Sequence, residues 1–351
     1  MIAYSLKPMI LERPLNFNPR VMYGVALVLC VLVMLTGCRS GSRSGSGPSG
    51  QRGAAADANT EAYVAQAKEL RTAGRDDEAL ALLTRAIEAN PTLTVAHLEA
   101  AEIYETKGDF EAAEKSFGTA ARQDPSNFSA QFGHGRSLHL LNRIAEAVRS
   151  YLMALAIQPN NFDANLALAT AYLQIDGPSQ ALPYAQRSVQ INPSSGPARA
   201  NLGSVYSQLG RHRDAVEQYQ AAAELMELSP SLLMNLAESL GKIERYDEMV
   251  NTLDLANRLQ PSAAAWERIG FANFKMKRFD ESMAAFRQAI ALDGSHYPAL
   301  NGLGVCLLNQ YLLSNKKDAE ALSESMSHFR KSLRINNRQP RIVDLVARYE
   351  R

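Results

Sequence analysis

The side chains best able to bind a metal or attack a substrate are scattered along the chain. No two histidines are spaced i, i+4, the spacing that points two imidazoles of a helix at one metal ion. His134 and His139 are five residues apart, which places them on different faces of a helix. Cys306 lies in the apolar run Leu303–Leu308, where a small core residue is a better interpretation than a nucleophile. Without a GxxxxGK[ST] or GxSxG motif, the sequence predicts no catalytic residue, metal, cofactor or small-molecule substrate.

Cys38 is different, because it ends a segment typical of an export signal. Residues 21–36, VMYGVALVLCVLVMLT, carry no charge and follow a basic leader. The segment is shorter than the about 20 residues that a membrane-spanning helix needs. Its end, Leu35-Thr36-Gly37-Cys38, resembles the lipobox of bacterial lipoproteins. The resemblance implies that residues 1–37 are a signal peptide and that the thiol of Cys38 receives a diacylglyceryl group.

Two alternatives stay open for this segment. In the first, Cys38 is only a small apolar residue at the end of an ordinary signal or short anchor. In the second, the chain is a cytoplasmic protein without a signal. If the resemblance holds, several acyl chains on one cysteine anchor the protein stably to a membrane. In Gram-negative lipoproteins an acidic residue after the cysteine favours the inner membrane, and Arg39 stands there instead. We therefore expect an outer-membrane anchor, with the folded part on the periplasmic or cell-surface side.

Residues 38–59 are predicted to form a flexible tether. Ten of the fifteen residues from Arg39 to Gly53 are glycine or serine, a composition that cannot bury a core.

The 37 Lys and Arg residues of the whole chain balance 36 Asp and Glu residues, so no overall basic field exists to attract nucleic acid. Three cysteines are too few for a disulfide framework.

The rest of the chain repeats with a period of 34 residues. Pro91, Pro125, Pro159 and Pro193 are separated by this interval, and an alanine series from Ala79 to Ala215 follows the same register. Each unit is predicted to contain two helices joined by a turn, and a proline ends the second helix. The eight predicted units cover residues 60–337 and begin at Thr60, Thr94, Phe128, Phe162, Gly196, Pro230, Ala263 and Tyr297.

This pattern resembles the tetratricopeptide repeat (TPR) family, with Trp266, Ile269, Gly270, Phe286 and Ala289 at its signature positions in the seventh unit. The resemblance implies an all-α fold, a right-handed α-solenoid of helix pairs. Ser282 and Ser325 replace the usual packing alanine, so we expect looser later units. About nine extra residues near 311–319 predict longer helices with a solvated turn, or a lip for a partner. Residues 338–351 are predicted to form a capping helix.

In TPR proteins the first helices line a concave groove that binds a peptide or helix of a partner. By register, the lining residues here are rather apolar, although an apolar stripe on a helix equally indicates packing between units. Asn201 and Asn235 are 34 residues apart and resemble the stacked asparagines with which some TPR proteins hold peptide backbones. The predicted groove residues are Leu98, Phe132, Leu166, Leu173, Asn201, Met234, Asn235, Phe271 and Phe274, with Val305 and Leu308 at equivalent positions.

Together these features predict a non-enzymatic, membrane-tethered adaptor that binds partner proteins or peptides. Similar lipoproteins serve envelope assembly, pilus biogenesis or secretion. One alternative is a regulatory or substrate-recruiting subunit of an enzyme that acts in trans, and another is a cytoplasmic TPR scaffold.

Overall fold

The computed structural model describes the backbone of residues 49–349 and the side chains of residues 59–349. The predicted signal peptide and Cys38 lie outside the described residues. Between residues 49 and 349 the chain forms seventeen α-helices and no strand. No helix in this part of the chain is long and apolar enough to cross a membrane. The helices are α1 (Ser49–Thr72), α2 (Asp76–Ala89), α3 (Thr94–Thr106), α4 (Phe110–Gln123), α5 (Phe128–Leu140), α6 (Ile144–Ile157), α7 (Phe162–Gln174), α8 (Pro178–Ile191), α9 (Gly196–Gln208), α10 (His212–Leu225), α11 (Pro230–Lys242), α12 (Tyr246–Leu259), α13 (Ala263–Lys275), α14 (Phe279–Leu292), α15 (Tyr297–Leu313), α16 (Ala319–Ile335) and α17 (Pro340–Tyr349).

The helices stack as pairs. From α3 onward the first helices begin at the residues where the sequence period begins, and each packs on its own second helix and on the preceding pair. Successive first helices such as α3 and α5, or α7 and α9, are also in contact. The prediction of an all-α solenoid is confirmed.

Local sequence sets the helix boundaries. The side chains of Asn127, Asn161 and Ser195 accept hydrogen bonds from the backbone N–H three residues on, which caps the first helices of three units. Gly108 and Gly210 turn the chain between paired helices with φ of 79° and 74°, a conformation that glycine adopts without strain.

Glycines bring the paired helices together against an aromatic ring. Gly203 lies so close to Tyr219 that a Cβ atom would be 2.8 Å from the ring, and Gly135 stands in the same relation to Tyr151 at 2.6 Å. Both tyrosines are almost completely buried. Each ring therefore occupies the space that the missing glycine side chain leaves, and this contact fixes the spacing of the pair.

The prediction of a flexible tether up to residue 59 is wrong in its second half, because α1 already begins at Ser49. Residues 54–58 read AAADA, and alanine has the highest helix propensity. Residues 60–72 form a packed helix, which supplies the costly helix nucleus. Each residue added at its amino-terminal end then gains one backbone hydrogen bond, so the helix extends toward residue 49.

The eighth unit absorbs its extra residues as predicted, by longer helices. Both α15 and α16 have 17 residues, where the preceding pair has 13 and 14, and the turn between them covers residues 314–318. Tyr311 and Leu312 pack against buried clusters, whereas Leu313 is 68% exposed. Only Leu313 thus fits the alternative of a lip for a partner.

Candidate binding groove

The predicted groove residues occupy the fifth, sixth, ninth or twelfth position of the first helices. We call the surface formed by these positions in all units the groove face. Asn235 is exposed, and the eight residues Leu98, Phe132, Leu166, Leu173, Asn201, Met234, Phe271 and Phe274 are half-buried. None is fully buried, so each keeps part of its side chain accessible to a guest.

Several of these residues also pack between units. Leu98 contacts the clusters around Phe117 and Ala121, and Leu173 and Met234 pack on the largest buried cluster. The ring of Phe132 lies 5.8 Å from that of Tyr151, centroid to centroid. Leu308, at an equivalent position, is buried against α17. At these positions the packing between units is confirmed, and the half-buried side chains other than Leu308 keep part of their surface accessible.

The groove face of the seventh unit is aromatic and cationic. Phe271 meets Tyr246 edge to face at a centroid distance of 6.4 Å, and the ammonium group of Lys275 lies 5.5 Å from the Phe271 ring. Phe274 makes a similar edge contact with Phe279 at 5.6 Å. This arrangement offers a guest a rigid apolar platform with a positive charge at its margin.

The two asparagines differ in their contacts. The Asn201 side-chain amide donates a hydrogen bond of 2.9 Å to Oγ1 of Thr170 on the preceding first helix, while its Oδ1 has no partner among the described residues. The Thr170 hydroxyl in turn donates a hydrogen bond to the backbone carbonyl of Leu166, four residues earlier. Asn235 is exposed and its amide makes no hydrogen bond within residues 59–349. Asn235 is therefore the freer of the two for a peptide backbone.

Sequence reasoning missed a set of ion pairs across the groove face of the first three units. Arg71 on α1 contacts Glu99 and Glu102 on α3, each at 2.6 Å, and Lys68 contacts Glu99 at 3.2 Å. Arg136 on α5 pairs with Glu105. The sequence contains a signal for these pairs, since the oppositely charged partners are 28 or 31 residues apart, close to one repeat. This end of the groove face thus carries charged side chains beside its apolar ones.

Glu267 and Arg268 interrupt the apolar face next to Phe271. Burial raises the pKa of the Glu267 carboxyl, and neighbouring Arg268 opposes this effect only in part. Arg268 itself reaches Glu238 on α11 at 3.4 Å. Glu267 makes no ion pair or hydrogen bond within the described residues, so it is a carboxylate open to a cationic guest group.

A cavity of 240 Å³ opens at the amino-terminal end of the groove face. Val64 and Ala65 of α1 line one side, and Leu93 and Val95 line the other, with Glu61 and Lys68 at its edge. Its walls are apolar and Val95 is 41% exposed. The cavity has room for a bulky apolar side chain of a guest.

The reactive groups that the sequence offered are held in structural roles. Burial raises the pKa of the Cys306 thiol to about 11, so this residue is neutral and unreactive near pH 7. The hydroxyl of Ser150 and the carboxylate of Glu114 both lie 3.2 Å from ring nitrogens of His134. Ser150 is 7% exposed, and the imidazole fills the space beside Gly118. This array joins three helices, and the residue that carries its hydroxyl is almost completely buried.

Comparison with known families identifies the repeat. Two family models, each described as tetratricopeptide repeat, match the chain, one over residues 98–162 and 166–232 and the other over 60–93 and 263–296. Together these ranges cover more than half of the 351 residues. No curated protein sequence matches the chain.

Many solved structures are similar in fold. A crystal structure of YrrB, described as a TPR protein with an unusual peptide-binding site, is 25% identical with a TM-score of 0.48, and the alignment covers 56% of this chain and 97% of that one. For the pilF protein of Pseudomonas aeruginosa the identity is 20%, the TM-score 0.49 and the coverage 60% and 96%. A tetratricopeptide repeat protein from Parabacteroides merdae is 15% identical with a TM-score of 0.49, and the alignment covers 71% of this chain and 99% of that one.

Proposed function

Because the chain belongs to the tetratricopeptide repeat family, we propose that it is a non-enzymatic adaptor, tethered to a bacterial membrane through Cys38, that binds a partner protein or peptide on its groove face. The observation that carries the binding role is the surface of α11 and α13. There Phe271, Phe274 and Asn235 present aromatic and carboxamide groups that the fold leaves accessible. An envelope process such as assembly, pilus biogenesis or secretion is the setting we propose.

The chemistry of the groove face defines the guest. Apolar anchors fit the platform of Phe271 and Phe274 and the cavity beside Val64, and the exposed amide of Asn235 can pair with a peptide unit. Glu267 adds a partly desolvated carboxylate, which favours a cationic side chain close to the aromatic anchor. An extended or helical segment with apolar residues and a nearby Lys or Arg matches this surface.

Substitutions on the groove face test the binding role. Phe271→Ala and Asn235→Ala should each reduce recovery of the partner with the purified chain, whereas Leu152→Ala on the outer side of α6 is the matched control. Leu152 is 37% exposed and lies on a second helix, away from the groove face. Equal recovery of the partner by all three variants would refute binding on the groove face. A partner that is itself an enzyme would favour the regulatory-subunit alternative.

The membrane tether rests on residues 21–38 of the sequence alone and has its own test. Cells that express the chain are labelled with a radioactive fatty acid, and Cys38→Ser should abolish the labelling. Equal labelling of both proteins would refute lipidation. Fractionation adds a second readout, since recovery of all the protein from the soluble cytoplasm would instead favour the cytoplasmic scaffold.

A further inference from the structure

The two ends of the repeat array carry opposite charge. Residues 60–127, which form the first two units, contain thirteen acidic and seven basic residues. Residues 330–349, which include the end of α16 and the capping helix α17, contain six basic residues and one acidic residue. The near-neutral total of the chain conceals this separation.

The basic end is exposed, and five of its six basic side chains lack a counterion among the described residues. Five of its basic side chains are exposed and make no ion pair within the described residues, namely Lys331, Arg334, Arg338, Arg341 and Arg348. Helix α17 turns Ile342, Leu345, Val346 and Tyr349 toward the core. Arg341, Asp344 and Arg348 follow the spacing i, i+3, i+7, and all three are exposed, as is Val343 at 46%.

At the acidic end, α1 has an open face that every later first helix buries. The third and tenth residues of the first helices pack against the preceding pair, so that Ala96 and Ile103 of α3 are 0% and 1% exposed. The equivalent residues of α1 are Ala62 and Glu69, and both are exposed. Glu61, Glu69 and Asp76 make no ion pair within residues 59–349. A helix from another molecule has room to pack there beside unpaired carboxylates.

We infer that this face binds the basic end of a second copy of the same chain, so that copies associate head to tail. The charges that complement Arg334, Arg341 and Arg348 are present on the chain itself, at Glu61 and Glu69 on α1 and at Asp76, the first residue of α2. Repeat units are stabilised by stacking on their neighbours, and α1 and α17 are the first and last helices of the array within the described residues. Such a contact joins two different surfaces, so it leaves a free end on each molecule and allows longer chains. Of these six residues only Glu61 also borders the cavity on the groove face.

Sedimentation velocity of the full chain in mild detergent tests this inference. At low ionic strength we expect concentration-dependent association, which weakens when salt shortens the Debye length from about 30 Å at 0.01 M to about 3 Å at 1 M. The tail variant R334E/R341E/R348E and the head variant E61K/E69K/D76K should each associate roughly tenfold more weakly, because like charges then meet. An equimolar mixture of both variants should regain association, since the basic head of one then meets the acidic tail of the other.

The control variant R149E/R213E/R258E makes the same charge change on exposed arginines of α6, α10 and α12. It should associate like the unmodified chain. Circular dichroism melting of all variants separates a loss of contact from a loss of fold. A chain that stays monomeric at low ionic strength overturns the inference, and so does association that both reversed variants retain. If the tail variant instead loses only its binding to vesicles containing anionic phospholipid while self-association persists, the basic end is a membrane contact and the inference is wrong.

Discussion

At the scale of single residues, the ring of Phe286 is enclosed by two glycines. Gly270 of the same unit and Gly302 of the next unit both lie where a Cβ atom would collide with the ring, at 2.7 Å in the case of Gly270. Phe286 is 4% exposed and cannot move aside into solvent. The close contact between the seventh and eighth units therefore depends on two residues without side chains.

Gly270→Ala should lower the free energy of unfolding by about 1–3 kcal/mol, because the added methyl group overpacks the Phe286 ring. Alanine's higher helix propensity offsets roughly 0.5–1 kcal/mol of the steric cost. The midpoint of urea unfolding, followed by circular dichroism, measures the change. Gly294→Ala is the control, since its Cβ would meet nothing closer than 3.8 Å. Equal midpoints for the two variants would contradict this packing.

The raised pKa of Glu267 predicts a pH-dependent effect on stability. The folded chain holds the Glu267 proton more tightly than the unfolded chain does, so ionisation of this group costs stability as the pH rises above its ordinary titration range. Glu267→Gln should therefore raise the urea midpoint at pH 7, and the gain should disappear near pH 4. Glu224→Gln at an exposed position of α10 serves as the control. A gain that is the same at both pH values would rule out ionisation as its cause.

At the scale of helices, the two serines in packing positions are accommodated without loss of contact. The hydroxyl of Ser282 donates to the carbonyl of Gly270, and that of Ser325 to the carbonyl of Gly304, both at 2.7 Å. Both serines are completely buried, so each hydrogen bond offsets the desolvation of a hydroxyl. We expected looser units because serine replaces alanine at these positions. The carbonyl group that accepts each serine hydroxyl can be identified only in the three-dimensional structure.

The capping helix α17 is held on the array by the buried side chain of Ile342. Ile342 is 9% exposed and packs with Leu308, Met326 and Phe329. Ile342→Ala should lower the melting temperature, at a cost of about 2–5 kcal/mol, because it removes buried methyl groups and leaves a cavity. Val343→Ala, on the same helix but 46% exposed, should have little effect. If both substitutions lower the melting temperature equally, α17 does not cap the array through its Ile342 face.

The period of the sequence predicts the helices more completely than it predicts their surfaces. Spacing alone places the starts of seven first helices, because a 34-residue unit has few ways to bury its two apolar stripes. The backward extension of α1 depends on cooperativity with a packed helix, which a glycine and serine count ignores. The ion pairs from Arg71 and Arg136 depend on which helices become neighbours, and sequence spacing gives only a hint of that.

At the scale of the whole molecule, the groove face changes character along the array. It is charged across α1, α3 and α5, carries carboxamide and hydroxyl groups at Asn201 and Thr170, and is aromatic on α13. The sequence register gives the helix positions of the apolar side chains, but helix rotation decides how much of each one packs between units. A guest that spans the array would therefore meet different chemistry at its two ends.

Site-specific crosslinking in living cells tests the central claim, that a partner binds on the groove face. A photoreactive amino acid is placed at Phe271 or Asn235 on the groove face, and at Met153, which is 49% exposed on α6, as a control. After irradiation, mass spectrometry identifies any attached protein. The account predicts one partner crosslinked from both groove positions and none from Met153. Capture of the partner from Met153 with none from the groove positions would contradict it.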